Sequence, residues 1–203
     1  EVGFRSTLFD KLFVDGGYYY SIYDNFLGFN IGADATFDQA TNLPLNVDIF
    51  RYAANSKNTV TTQGFSIGLN YFMNEFFTLN GNYSWNKLNT ELDDPIIPAF
   101  NTPEHKYNLG FSGRKLQVVG IKNVGFNINY KWIEGFLFEG SPQFTGFIPS
   151  YDMLDAQINV LVPSINTTIK VGASNILSNE SFQTYGCPRI GRLAYIMFTY
   201  EPN

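Results

Sequence analysis

The stretch Phe77-Thr78-Leu79-Asn80-Gly81-Asn82-Tyr83-Ser84-Trp85-Asn86 decides the fold. Its odd positions are Phe, Leu, Gly, Tyr and Trp, and its even positions are Thr, Asn, Asn, Ser and Asn. Successive side chains on a β-strand point to opposite faces, so this period of two predicts a strand with one aromatic and aliphatic face and one amide and hydroxyl face. The pattern recurs outward from it. Phe65, Ile67, Leu69 and Tyr71 alternate with Gly64, Ser66, Gly68 and Asn70. Val124, Phe126, Ile128, Tyr130 and Trp132 alternate with Gly125, Asn127, Asn129 and Lys131. Ile165 to Ser174 repeats it, and no stretch with a helical apolar stripe competes.

The character of the polar face separates two all-β classes. A soluble sandwich turns its apolar face inward and covers its outer face with Lys, Glu, Asp and Arg. Here the polar face is Asn, Ser, Thr and Gly, with sparse charges such as Arg5, Asp15, Lys131, Asp155 and Lys170. That composition suits the wall of a wide, wet lumen, with the apolar face turned to lipid and Tyr and Trp near the strand ends as interfacial girdles.

The bulk composition agrees. Of 203 residues, 17% are aromatic and only 15% are charged, against roughly 25% charged in ordinary soluble domains. No run of about 18 apolar residues could form a membrane helix. A net charge of −5 argues against a nucleic-acid partner, which needs a basic stripe. One Cys and one His provide neither a disulfide nor a metal-ligand spacing. No metal or cofactor is therefore expected. No signal peptide is read at the start either, since Glu1 to Phe9 already has strand character.

Nine strands are predicted, at about 2–9, 12–29, 46–73, 76–90, 105–115, 122–137, 149–162, 165–176 and 190–200, the third bulged near 54–58. Short links at Asp10-Lys11, Asn74-Glu75, Gln117 to Ile121 and Pro163-Ser164 alternate with long ones at Ile31 to Leu45, Glu91 to Glu104, Gly140 to Ile148 and Leu177 to Arg189. Outer-membrane barrels have this asymmetry, with short periplasmic turns and long extracellular loops. Nine is odd, whereas single-chain bacterial barrels close with even, antiparallel counts, so the chain reads as part of a barrel.

Several segments resemble one family. They are Thr102-Pro103-Glu104-His105-Lys106-Tyr107-Asn108-Leu109, Ile148-Pro149-Ser150-Tyr151-Asp152-Met153-Leu154-Asp155, Val171-Gly172-Ala173-Ser174-Asn175-Ile176-Leu177, and Tyr185-Gly186-Cys187-Pro188-Arg189-Ile190-Gly191-Arg192 leading into the last strand. Tyr52-Ala53-Ala54-Asn55 followed by Thr62-Gln63-Gly64-Phe65 belongs with them. In order and spacing they resemble TonB-dependent outer-membrane receptors, particularly those of Bacteroidetes-type bacteria. The resemblance implies an antiparallel transmembrane β-barrel of 22 strands, with residues 1–203 as its C-terminal portion, strands fourteen to twenty-two. The N-terminal strands and the plug would lie outside this sequence.

What the resemblance implies for function is active uptake of a large solute, an oligosaccharide, peptide or metal chelate, across the outer membrane. The implied partners are membrane lipid, the remaining strands, the plug, the TonB energy-transducing complex reached through the N-terminal part, and a surface lid lipoprotein. A small porin-like or structural barrel anchoring an envelope complex is the alternative. Two departures from the family are visible: Phe198-Thr199-Tyr200 is followed by Glu201-Pro202-Asn203 where a terminal aromatic is usual, and no carboxylate follows Gly64.

Candidate sites follow from parity. Arg5, Asp15, Asn80, Asn82, Asn127, Asn129, Lys131, Asp155 and Lys170 are predicted to face the lumen. Tyr18 and Tyr20 join Ile22 on the lipid face, while Tyr19 and Tyr23 share the lumen face with Asp15. Tyr19, Tyr23 and the loop residue Phe144 could stack on a ligand, or pack against a plug. His105 reads as a girdle histidine, Cys187 as a free loop thiol, and Asp34, Asp38, Glu91, Asp93 and Asp94 as solvated loop acids, so no catalytic residue is expected.

Overall fold

A computed structural model describes residues 1–89, 96–97, 100–140 and 144–202. The predicted acids Glu91, Asp93 and Asp94 lie outside the described residues. Among the described residues the chain forms thirteen strands and no α-helix: β1 (Val2–Leu8), β2 (Leu12–Tyr23), β3 (Leu27–Phe37), β4 (Pro44–Asn55), β5 (Val60–Phe72), β6 (Phe77–Asn89), β7 (His105–Val118), β8 (Ile121–Ile133), β9 (Phe136–Phe138), β10 (Gly146–Ile148), β11 (Tyr151–Val162), β12 (Thr167–Ser174) and β13 (Leu193–Tyr200).

Nine of them build one antiparallel sheet in the order β1-β2-β5-β6-β7-β8-β11-β12-β13. These nine correspond to the nine strands expected from period two. The short links all fall at one end of the sheet, at residues 9–11, 73–76, 119–120 and 163–166, and the long ones at the other. The turns use left-handed backbone where the sequence tolerates it, as at Asn166 (φ 46°) and Gly120 (φ 81°).

The register sorts side chains by face. One apolar row runs Phe4, Gly16, Ile67, Tyr83, Tyr107, Trp132, and another runs Leu8, Leu12, Tyr71, Leu79, Phe111, Ile128. Among the described residues nothing covers this face: Leu109 is 57% exposed and Ile196 61%. Only Phe29, Val60, Ile96, Ile133 and Ile148 are buried apolar residues among those described. A sheet that leaves one face apolar and open, with rings clustered at the strand ends, is built for a hydrocarbon solvent. Tyr107 stacks on Trp132 with centroids 5.4 Å apart, and Phe65 lies 5.8 Å from Trp85, both at the long-loop end.

The region from 24 to 59 departs from expectation. Residues 31–45, predicted as a loop, are mostly strand, and the predicted strands 12–29 and 46–73 each break. The β2–β5 ladder ends at Tyr23↔Val60, and a separate β3–β4 hairpin begins at Leu27↔Asn55. Three residues span the gap on one side and four on the other, so the register slips by one, as in a bulge. Buried Ser56 staples the break: its amide donates to Phe26 O (2.8 Å), and its Oγ accepts from Phe26 N (2.9 Å). Asn25, at φ 56°, turns the chain, and Asn55 Nδ2 donates to its carbonyl (3.0 Å). The short β9–β10 ribbon likewise forms where the alternation predicts one strand over 122–137 and a loop over 140–148.

Candidate functional site

The polar face is built from the same register. One row runs Arg5, Asp15, Gly68, Asn82, Asn108, Lys131. The next runs Asn70, Asn80, Gly110, Asn129, Asp155, and beyond it Ser112, Asn127, Gln157 and Gly172 align. Lys170 pairs with Asn159. All nine predicted polar-wall residues thus share one face of the sheet.

Close contacts make this wall flush. Asn108 Nδ2 donates to Asn82 Oδ1 (2.8 Å), and the Tyr195 hydroxyl donates to Gln157 Oε1 (3.0 Å). Glycines opposite longer polar groups leave room for them to lie flat: a Cβ on Gly68 would sit 2.6 Å from Asp15 Oδ1, and one on Gly64 2.6 Å from the Tyr19 ring. A hollow of about 480 Å³ opens over this face, lined by Asp15, Ser66, Asn70, Asn80, Asn82 and Ser84. Its donors and acceptors are neutral amides and hydroxyls with one carboxylate, a surface that holds water or polar solutes without strong preference for charge.

The predicted aromatic contacts divide. Tyr19 is half-buried on the polar face, its hydroxyl donating to Asn86 Oδ1 (3.1 Å). Tyr23, at the upper end of β2, packs edge-on against Phe26 with centroids 5.4 Å apart. Phe144 is off the sheet, between β9 and β10, 51% exposed and against Gly186 of the β12–β13 connection. The first two therefore line the top of one strand, while the third belongs to the loops.

The mouth contains features that parity did not reveal. A cleft of about 410 Å³ lies between the β6–β7 and β8–β11 connections, lined by Asn86, Phe100, Glu104, Glu134, Phe136 and Phe147 among others. Asn101 and Glu139 tie its walls through paired bonds, Glu139 N to Asn101 Oδ1 (2.7 Å) and Asn101 Nδ2 to Glu139 O (3.0 Å). Asn175 is 3% exposed at φ 49°, and it fastens the β12–β13 connection. Its amide donates to Asp155 Oδ1 (2.8 Å), its Nδ2 donates to Asn179 O (2.9 Å) and Ile190 O (3.2 Å), and its Oδ1 accepts from Asn179 N (3.0 Å). Asp155 is thus an anchor for a loop as well as a wall residue. The available signal was an Asn at a strand end, the residue type that enters the left-handed region most readily after Gly.

His105 is satisfied locally. Its Nδ1 lies 2.6 Å from the Tyr83 hydroxyl and its backbone N–H donates to Glu134 Oε2 (3.0 Å). Cys187 is exposed. Asp34 pairs in register with Asp48 on the hairpin, and Asp38 forms its tip. The Asp38 carboxylate accepts from the amides of Ala40 and Thr41 (both 2.8 Å), and these bonds hold its carboxyl below the usual value. Among the described residues no group of three His, Cys, Asp or Glu could hold a metal ion.

An antiparallel sheet with one lipid-compatible face, one polar face, short turns at one end and long connections at the other defines an outer-membrane β-barrel wall. The family model for the TonB dependent receptor-like β-barrel matches residues 1–176, and the chain belongs to that family. It is a family of outer-membrane receptors and transporters, which places the chain in the Gram-negative outer membrane.

Solved structures share the fold. The FrpB iron transporter from Neisseria meningitidis (F3-3 variant) superposes with a TM-score of 0.64 at 13% identity, covering 98% of this chain and 30% of that one. For the copper transporter OprC the values are 0.67, 11%, 97% and 29%. For the siderophore receptor PirA from Acinetobacter baumannii they are 0.63, 13%, 98% and 30%. The chain therefore spans about three-tenths of the length of these structures. No curated protein sequence matches it.

Proposed function

We propose that residues 1–203 are the C-terminal portion of a TonB-dependent receptor barrel, supplying wall and extracellular loops for active uptake of a large solute. The observation that carries this reading is the two-faced nine-stranded sheet, whose long connections gather at one end. In it Arg5, Asp15, Asn80, Asn82, Asn127, Asn129, Lys131, Asp155 and Lys170 face a lumen, and Tyr19, Tyr23 and Phe144 meet solute or plug near the mouth. The solute is an oligosaccharide, a peptide or a metal chelate, the last in keeping with the iron, copper and siderophore proteins that share the fold. The plug and the TonB complex are partners through the rest of the protein, and a surface lipoprotein closes the mouth.

The wall cannot itself do work on a solute, because its hydrogen bonds form a continuous ladder that would have to break to move. The moving part is therefore the plug, and the wall's contribution is a polar track and a fixed mouth. Whole-cell uptake by the full-length receptor tests this. Uptake should stop when the proton-motive force is dissipated or TonB is deleted; uptake that continues at an unchanged rate would mean a passive pore and overturn the reading.

A further inference from the structure

The β7–β8 hairpin differs in charge from the rest of the chain. In a protein of net charge −5, no Asp or Glu stands between Glu104 and Glu134, while that interval holds Lys106, Arg114, Lys115, Lys122 and Lys131. Arg114, Lys115 and Lys122 gather at the short-turn end, and all three are exposed. Two opposed irregularities put them there. The register shifts between Gly113 and Leu116 on one strand, and again between Leu116 and Val118, so each strand carries one bulge. Lys115 (φ 54°) and Asn123 (φ 58°) sit in the left-handed region at these bulges. Such backbone is unfavourable for a lysine, and a bulge re-aims the side chain it carries out of the ladder's row. Arg114 Nε donates to Glu75 O (3.0 Å), which ties this end to the neighbouring turn.

On the apolar face, a hollow of about 510 Å³ opens beside Leu116 and Ile121, the chain neighbours of Lys115 and Lys122. Leu116, Val119, Ile121, Phe126, Ile158 and Val160 line it, and Val119 is 97% exposed. This end of the sheet meets the periplasmic leaflet, because the short turns of outer-membrane barrels are periplasmic. An apolar slot at the same end of the sheet as a group of exposed cations is complementary to an amphiphile with a hydrocarbon tail and an anionic head.

The geometry points to a site for an anionic diacyl phospholipid of that leaflet, with an acyl chain in the hollow and the headgroup phosphate among Arg114, Lys115 and Lys122. Headgroup charge is the discriminating feature. A zwitterionic lipid offers the same tail and phosphate but adds an ammonium, which the cluster repels.

Native mass spectrometry of the full-length receptor in detergent, titrated with phosphatidylglycerol or phosphatidylcholine of matched chains, tests this. Phosphatidylglycerol should be retained at lower concentration. The K115Q/K122Q variant should weaken its retention about fivefold per charge removed and change that of phosphatidylcholine far less, because the lost phosphate attraction and the relieved ammonium repulsion oppose each other. I158W, which fills the hollow without altering charge, should weaken both lipids. Each variant is first shown to keep the heat-modifiable gel mobility of a folded barrel. Should either fail to fold, the wild-type protein still decides: raising the salt to about 0.5 M should erase the headgroup preference. Equal retention of the two lipids by the wild type, or unchanged phosphatidylglycerol retention by K115Q/K122Q, would overturn the site. So would a double variant that loses both lipids equally.

Discussion

The nine-stranded wall and the β3–β4 hairpin are made of the same kind of sequence, yet they are held in different ways. In the wall every interior strand pairs on both sides, and each residue's partner on the next strand fixes which solvent it meets. Among the described residues the hairpin pairs only with itself, apart from the bridge Phe29↔Ile97. Two strands alone are marginal in water, so its position depends on a few side chains at its base. Arg51 stacks over the Phe29 ring at 4.4 Å and its Nη1 donates to Gly140 O (3.0 Å), while Ser56 and Asn55 hold the break from the wall. The difference teaches that ladder hydrogen bonds make a wall, whereas individually replaceable contacts make a mouth.

The largest effect should come from violating the wall's face rule. Leu109→Arg places a cation on the lipid face and should cost about 2–4 kcal/mol, whereas Asn108→Arg, one residue away on the other face, should cost about 1 kcal/mol or less, from the lost bond to Asn82 and the Lys131 side chain opposite. Urea titration of the folded gel mobility in lipid vesicles measures both, and equal losses would break the assignment of faces. Next comes the loop anchor. Asn175→Ala removes the side-chain bonds of a nearly inaccessible residue and should cost about 1–3 kcal/mol locally. It should be read as faster hydrogen exchange at Asn179 and along β13, with the gel mobility of the wall intact. Asn175→Gly keeps the left-handed backbone and separates the two contributions, since a loss as large as that of Ala assigns the effect to the hydrogen bonds.

Smaller effects are expected on the hairpin. Arg51→Ala should cost about 1 kcal/mol, from a cation–π contact and one hydrogen bond, and should speed proteolysis within 27–55 without unfolding the wall. The smallest concerns pH. The folded hairpin binds the Asp38 carboxylate in its ionised form and lowers its pKa, so this contribution is complete above the ordinary carboxylate range. It is lost as the pH falls through and below that range, with the proton bound more readily by the opened tip. Amide exchange at Ala40 and Thr41, corrected for intrinsic rates, should rise on acidification in the wild type and be pH-independent in Asp38→Ala.

The contrast also explains what was legible beforehand. Period two placed Arg5 and Lys131 on one face although they lie on strands five positions apart, because strict alternation transmits a face assignment across any number of paired strands. The reading failed at residues 24–26 and 56–59, where a mismatch of one residue interrupts the alternation. From there the sequence reads as a loop where the hairpin forms: Ala33, Asp34, Ala35 and Thr36 alternate only weakly, and Ile49-Phe50 breaks the pattern. Asn101, Asn175 and Glu134 were invisible as site residues for a related reason. Their partners are 38, 4 to 20 and 29 residues away along connections that no periodicity describes.

The sequence by itself determined the strand period, the solvent each face requires and the alternation of short and long links, because these depend on side-chain chemistry repeated every second residue. Only the tertiary structure decided where the long hairpin breaks and how Arg51 ties it to Gly140. It also decided that Asp155 serves a loop and that three exposed cations and an apolar hollow share the short-turn end. Those arrangements depend on single bulges and on contacts between distant connections, and one inserted residue changes them without leaving any mark on composition or period.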